Sequence, residues 1–127
     1  MPKAKQLTVW VENRPGMLGE VGSALGARKV NIAAFMATVS DNRGTIRMVV
    51  DKPAAAKRVF AEHRWETTED EVLIVAIPDK PGSLGRIALR EASVNIEYAY
   101  AGLGPSGRRV NAYFGVSDLK VALIAVR

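Results

Sequence analysis

Leu7, Val9 and Val11 alternate with Thr8 and Trp10, a period of two that predicts a strand over residues 6–12. Pro15 and Gly16 stop it. A helical pattern follows, with Leu18, Val21 and Leu25 on one face. Gly19, Gly22 and Gly26 form an adjacent flank. Each glycine costs about 1 kcal/mol against alanine in a helix, so the row implies either close approach of another backbone or a helix that is simply weak. Residues 30–39 and 45–51 read as strands around the turn "SDNRG", which makes a hairpin. Asp51 is placed to cap the next helix, with Pro53 in its first turn and Ala56, Val59, Phe60 and His63 on one face. The acids of "WETTEDE" read as a solvated linker leading to a short extended stretch.

The order then starts again. "VLIVAIP" reads as a strand, "DKPGSLGRIALR" as a turn and a helix with Leu84, Ile87 and Ala88 on one face, and "VNIEYAYAGL" and "RVNAYFGVSD" as strands around "GPSG". Asp118 or Ser117 can cap a last helix carrying Leu119, Ala122, Leu123 and Val126. Pro15, Gly16, Leu18 and Gly19 match Pro81, Gly82, Leu84 and Gly85; Val30, Asn31 and Ile32 match Val94, Asn95 and Ile96; Asp51 matches Asp118. This is an internal repeat of domain size, with a first domain over 1–70 and a second over 71–127.

At 127 residues the chain suits one ordinary domain or two very small ones, and 48% apolar residues can fill a core. Very small domains are marginal alone, so two would lean on each other. The absence of cysteine excludes disulfides, thiolate metal sites and a cysteine nucleophile. No apolar run is long enough to span a bilayer and the N-terminus has no secretory pattern, which sets a cytoplasmic expectation. The net charge is +5, but the basic residues are scattered rather than clustered as a nucleic-acid footprint would be.

A Pro-Gly step between strand and helix leaves the first backbone N–H groups uncovered, which suits a carboxylate cradle, though it also serves as a plain tight turn. Asn31 and Asn95 each open a strand between β-branched residues. Asparagine is a poor strand former. Its amide either ties local backbone or meets a ligand bearing both ammonium and carboxylate.

"NRPGMLGEVGSALGARKVNI" resembles the ACT domain, with its N-x-P-G-x-L entry and V-N-I strand, and "DKPGSLGR…ASVNIEYAYA" looks like a second copy. The resemblance covers nearly the whole chain, in the manner of small stand-alone tandem ACT proteins. It implies an α+β fold of two ferredoxin-like βαββαβ domains in tandem, antiparallel sheets with helices packed on one face. The second copy is expected to lack its last strand, because the helix pattern reaches the end of the sequence, and an open edge there would need cover from the first domain or a partner. The resemblance also implies a small amino acid held between paired domains. The first site would use Asn13, Arg14, Gly16, Met17, Leu18, Asn31 and Ile32; the second Asp79, Lys80, Gly82, Ser83, Leu84, Asn95 and Ile96. Asp79 stands where the first copy has asparagine, which favours an ammonium there. The second copy is also two residues shorter between proline and asparagine: either its helix stops near Arg90, keeping Glu91 off the apolar face, or two residues are missing.

The implied protein is non-catalytic, needs no cofactor, forms a homodimer or higher oligomer, signals to an enzyme partner, and binds neither nucleic acid nor membrane. Two other classes compete. For an enzyme, the single histidine, His63, sits on a helix face, and no catalytic or metal-ligand cluster is suggested. For an RNA-binding ferredoxin-like module, "TIRMVV" has no aromatic, and Tyr113 and Phe114 fall on opposite faces, so a paired stacking platform is missing.

Overall fold

In the computed structural model, which describes residues 3–86, 94–104 and 109–125, β1 (Lys3–Glu12) buries Leu7, Val9 and Val11 on one face as its period of two requires. Two compact units divide the chain: residues 5–70, and residues 71–127 together with the first four.

The first unit runs β1, α1 (Met17–Ala27), β2 (Ile32–Ser40), β3 (Arg43–Val50), α2 (Pro53–Glu62) and the start of β4 (Glu66–Pro78). Its strands lie in the order β2-β3-β1-β4. β3 pairs antiparallel with both neighbours, setting Leu7 opposite Met48 and Val9 opposite Ile46. These side chains meet Met17, Val21 and Leu25 of α1 and Ala56, Val59 and Phe60 of α2 in one core. Burying each large aliphatic or aromatic side chain contributes about 1.5–3 kcal/mol.

Two helix faces differ from the periodicity reading. The inward row of α1 is Met17, Val21, Leu25, and Leu18 is 46% exposed. The helix begins directly after Gly16 in the left-handed region, which turns residue 17 inward and puts residue 18 on the shoulder, one position round the wheel. His63 is exposed rather than inward: it is the C-cap of α2, donates from Nδ1 to the Val59 carbonyl at 3.0 Å, and stacks on Trp65 at 4.4 Å.

Both helices end in a Schellman motif. In α1, Val30 N–H donates to Leu25 O and Lys29 N–H to Gly26 O; in α2, Trp65 N–H donates to Phe60 O and Arg64 N–H to Ala61 O. The pivot residues, Lys29 and Arg64, both have φ 59, a region that costs an L-residue about 1–2 kcal/mol. A cation near the helix C-terminus offsets part of that.

The acids of "ETTEDE" are strand residues of β4, not a linker. Glu66 pairs with Arg43 at 2.8 Å, and Glu69 pairs with Lys57 of α2 and, at 3.9 Å, with Lys5 of β1. The hydrogen bond from Lys57, with added attraction from both lysines, holds the Glu69 carboxyl below its ordinary pKa. Its contribution is present above the unfolded carboxylate pKa and is lost as pH falls through the depressed one. For so exposed a pair the effect is small.

The second unit contains the rest of β4, a 3-10 turn (Leu84–Arg86), β5 (Ile96–Leu103), β6 (Arg109–Val116) and α3 (Leu119–Ala125), with strand order β4-β6-β5. Leu73, Val94, Ala112, Phe114 and Ala122 form its core. Lys3 and Ala4 belong with this unit, and Lys3 pairs with Glu71 at 3.3 Å, so the start of β1 lies on the β4 side. Asp118 caps α3 through Val121 N–H at 3.2 Å. Leu84 is exposed; Ile87, Ala88, Arg90, Glu91 and Val126 lie outside the described residues.

Phe114 faces the core while Tyr113 faces the other side, as alternation requires, but Tyr113 is not alone there. It stacks on Tyr100 at 5.2 Å, and the ring of Tyr98 lies over Gly115. A Cβ at 115 would collide with that ring.

Gly115→Ala is expected to destabilise the protein by about 1–3 kcal/mol, as overpacking does. Lys29→Gly is expected to stabilise it by up to about 1 kcal/mol by relieving the left-handed pivot. Urea melts of the two variants beside the parent check both signs.

Candidate functional site

The Pro-Gly phrase folds into the same turn twice. In the first copy Arg14 N–H donates to Glu12 O at 3.1 Å and Met17 N–H to Arg14 O at 3.4 Å; in the second Lys80 N–H donates to Pro78 O at 3.0 Å and Ser83 N–H to Lys80 O at 3.3 Å. Gly16 has φ 85 and Gly82 φ 86, a left-handed conformation that glycine alone adopts without strain. Asn13, Arg14, Gly16, Met17 and Leu18 therefore meet at one turn, and Asp79, Lys80, Gly82, Ser83 and Leu84 at the other.

The side chains on these turns differ in charge. Arg14 is held between Glu12 at 3.4 Å and Glu20 at 2.9 Å. In the second copy Lys80 stands for Arg14 and Arg86 for Glu20, so that clamp cannot form. The Arg86 guanidinium lies over Gly82, 3.5 Å from where a Cβ would stand. Met17 fills the first core, whereas its counterpart Ser83 buries a hydroxyl with no partner among the described residues.

The asparagines sit elsewhere. α1 has 11 residues, about 16 Å at 1.5 Å per residue, so Gly16 and Asn31 lie near opposite ends of the helix and one unit does not bring them together. Asn31 donates its N–H to Asp51 Oδ1 at 2.9 Å and accepts from Asp51 N–H at 3.1 Å. Asn95 repeats the pattern with a different partner: its N–H donates to Ser117 Oγ at 3.1 Å, and its carbonyl accepts from Ser117 N–H at 2.9 Å. Asp51 therefore corresponds to Ser117 rather than Asp118. Asp51 also does not cap α2, whose N-cap is Lys52 without a side-chain bond; its carboxylate is committed to Asn31. The Asn31 and Asn95 side-chain amides are exposed and have no partner among the described residues. Ile32 is half-buried against the first core and Ile96 is exposed.

A cleft of about 630 Å³ opens at the Pro-Gly end of the first unit. Its lining joins Asn13, Arg14 and Met17 to residues that periodicity and motif did not single out as site residues: Trp10, Glu12, Asn42, Arg43, and the run His63, Arg64, Trp65 and Glu66. Local sequence held one signal, the cluster "HRWE" directly after a helix. A smaller apolar groove of about 200 Å³ lies between Leu18 and Gly22 of α1 and Ile32 and Phe35 of β2. A Cβ at Gly19, Gly22 or Gly26 would meet nothing within 4 Å, so the glycine flank faces open space instead of a close-packed backbone. Among the described residues, no cluster of His, Asp and Glu could hold a metal ion, and no helix is long and apolar enough to cross a membrane.

Residues 5–62 match the ACT domain, which lies within the first unit. Among solved structures, the protein BT0572 from Bacteroides thetaiotaomicron has a similar fold with 25% identity and a TM-score of 0.86, covering 98% of this chain and 86% of that one. The ligand-free regulatory subunit of aspartate kinase from Thermus thermophilus aligns with 18% identity and a TM-score of 0.67, over 96% of this chain and 89% of that one. The corresponding subunit from Thermus flavus aligns with 20% identity and a TM-score of 0.63, over 99% and 91%. No curated protein matches the chain. The fold is thus of the ACT-like, ferredoxin type, an antiparallel sheet with helices.

Asp51→Ala removes the acceptor of the Asn31 N–H and is expected to cost about 1–3 kcal/mol; Ser117→Ala, which removes a neutral acceptor, is expected to cost less. Paired urea melts check the order.

Proposed function

We propose that this chain is a non-catalytic amino-acid sensor built from two ACT-type units in tandem, residues 1–70 and 71–127, that signals to a partner enzyme of amino-acid metabolism. The observation that carries this reading is the doubled clasp: each repeated asparagine uses its backbone on a local partner, and its side-chain amide has no partner among the described residues. An amide that donates and accepts suits the ammonium and carboxylate of a small amino acid. The left-handed glycine turns supply the second half of the cradle. Since turn and asparagine lie near opposite ends of one unit, a complete site takes its asparagine from a second copy of the chain. The exposed β2 edge with its apolar groove and open glycine flank is a surface on which chains would pair into a homodimer or higher oligomer. The similarity to regulatory subunits of aspartate kinase supports a regulatory role. A location in the cytoplasm and the absence of a cofactor belong to the same reading.

The RNA-binding alternative draws less support. Tyr98, Tyr100 and Tyr113 do share one sheet face, yet Tyr100 and Tyr113 stack on each other and Tyr113 is only 3% exposed, which leaves it little surface for a base. The small-enzyme alternative rests on His63, whose Nδ1 is bonded to a helix carbonyl.

A melting screen against the twenty amino acids at millimolar concentration is expected to find at least one that raises Tm, since a native-state ligand at a hundredfold excess over its Kd stabilises by about 2.7 kcal/mol. With that ligand, calorimetry should find Asn31→Ala weakened roughly tenfold to a hundredfold, the worth of a hydrogen bond to a charged group, and Asn95→Ala weakened less. Equal affinities in the parent and both variants would refute the asparagine role.

A further inference from the structure

We infer that the cleft between the Pro-Gly turn and the α2–β4 turn of the first unit is a second binding site, for a small carboxylate that has an apolar or aromatic body and lacks an ammonium group. The inference goes beyond the amino-acid reading, with which it shares only Asn13, Arg14 and Met17. At about 630 Å³ the cleft is of the size that takes small molecules.

Its charges separate into committed and free groups. Arg14 is held by Glu12 and Glu20, and Arg43 by Glu66. Among the described residues nothing pairs with the Arg64 guanidinium or with the amides of Asn13 and Asn42. Three arginines against two glutamates line the cleft, so the surplus is cationic and sits at Arg64. A guanidinium presents a fork that a carboxylate accepts in two parallel bonds. An ammonium finds no free carboxylate as counter-ion, because both lining glutamates are already engaged by arginine.

The remainder of the lining suits an apolar body. Val11 and Met17 are buried at its base and Trp65 is half-buried beside them. His63 stacks on Trp65, and the Arg43 guanidinium stands 5.8 Å from the centre of the Trp10 ring, which holds both indoles in place. Two lining residues, Asn42 and Arg64, are non-glycine residues in the left-handed region, with φ 61 and φ 59. At Arg64 this conformation is the pivot of the Schellman cap that ends α2, and it carries the arginine on the turn that borders the cleft.

The chain has two tryptophans, Trp10 and Trp65, and both line this cleft, so their emission reports on it directly. Titration of the full chain with 3-phenylpropionate is expected to change that emission saturably. The neutral isostere 3-phenylpropanamide and L-phenylalanine should each bind about tenfold more weakly or worse, the factor expected for losing a charge-assisted hydrogen bond or for leaving an ammonium unpaired. Arg64→Gln should lose a similar factor, Arg64→Lys should keep part of the affinity, and Asn31→Ala should leave it unchanged. Because Arg64 is exposed, an unaltered urea melt for Arg64→Gln and Arg64→Lys separates lost contact from lost fold. No saturable change with 3-phenylpropionate would overturn the inference. Equal affinity for the amide or for L-phenylalanine, or full affinity in Arg64→Gln, would do so too. The amino-acid reading fails or stands separately, on the Asn31 variant and the melting screen.

Discussion

Asn31 gives its backbone N–H and its carbonyl to Asp51, and the geometry of the first unit hangs on this two-way bond. It ties the connection between α1 and β2 to the connection between β3 and α2 at one end of the sheet. With the backbone satisfied locally, the side-chain amide is released. The second unit reproduces the bond between Asn95 and Ser117 with a hydroxyl in place of the carboxylate. Geometry is kept across the repeat and charge is not, which is what a positioning device for the amide would preserve.

The same separation of shape from charge runs through the Pro-Gly turns. Their backbone bonds repeat one for one, and both glycines are left-handed. Their side chains diverge: the first turn closes an Arg14–Glu20 bridge, and the second places Lys80, Arg86 and a Ser83 hydroxyl without a partner among the described residues at the same positions. In the proposed reading, two cradles of one shape carry different charge, which makes the two sites unequal.

The strands and the repeat were legible because they rest on spacing. A period of two at Leu7, Val9 and Val11 needs no tertiary knowledge, and Pro-Gly followed by Val-Asn-Ile, twice, marks the same turns and clasps in both halves. The misreadings share a cause, a choice between partners that only the fold supplies. Asp51 can bond the N–H groups of its own helix or that of Asn31, and the fold brings Asn31 nearer. The acids of β4 resemble a linker until Arg43, Lys57, Lys5 and Lys3 are set opposite them. Leu18 looked inward because the helix phase depends on a left-handed Gly16. The large cleft was illegible for a plainer reason: Trp10, Asn42 and Arg64 come from three separate segments, none of which carries a motif alone.

The proposed sensor role depends on the side-chain amides of Asn31 and Asn95, which no described residue engages. Their NH2 resonances in the uniformly 15N-labelled protein test this most directly, once assigned through Asn31→Gln and Asn95→Gln. Without ligand both pairs should exchange with water at rates typical of exposed amides. With a saturating amino acid that raises Tm, the Asn31 pair should shift and slow its exchange, while the Asp51 backbone resonance stays in place. Amides already protected without ligand, or unmoved when the protein is saturated, would contradict it.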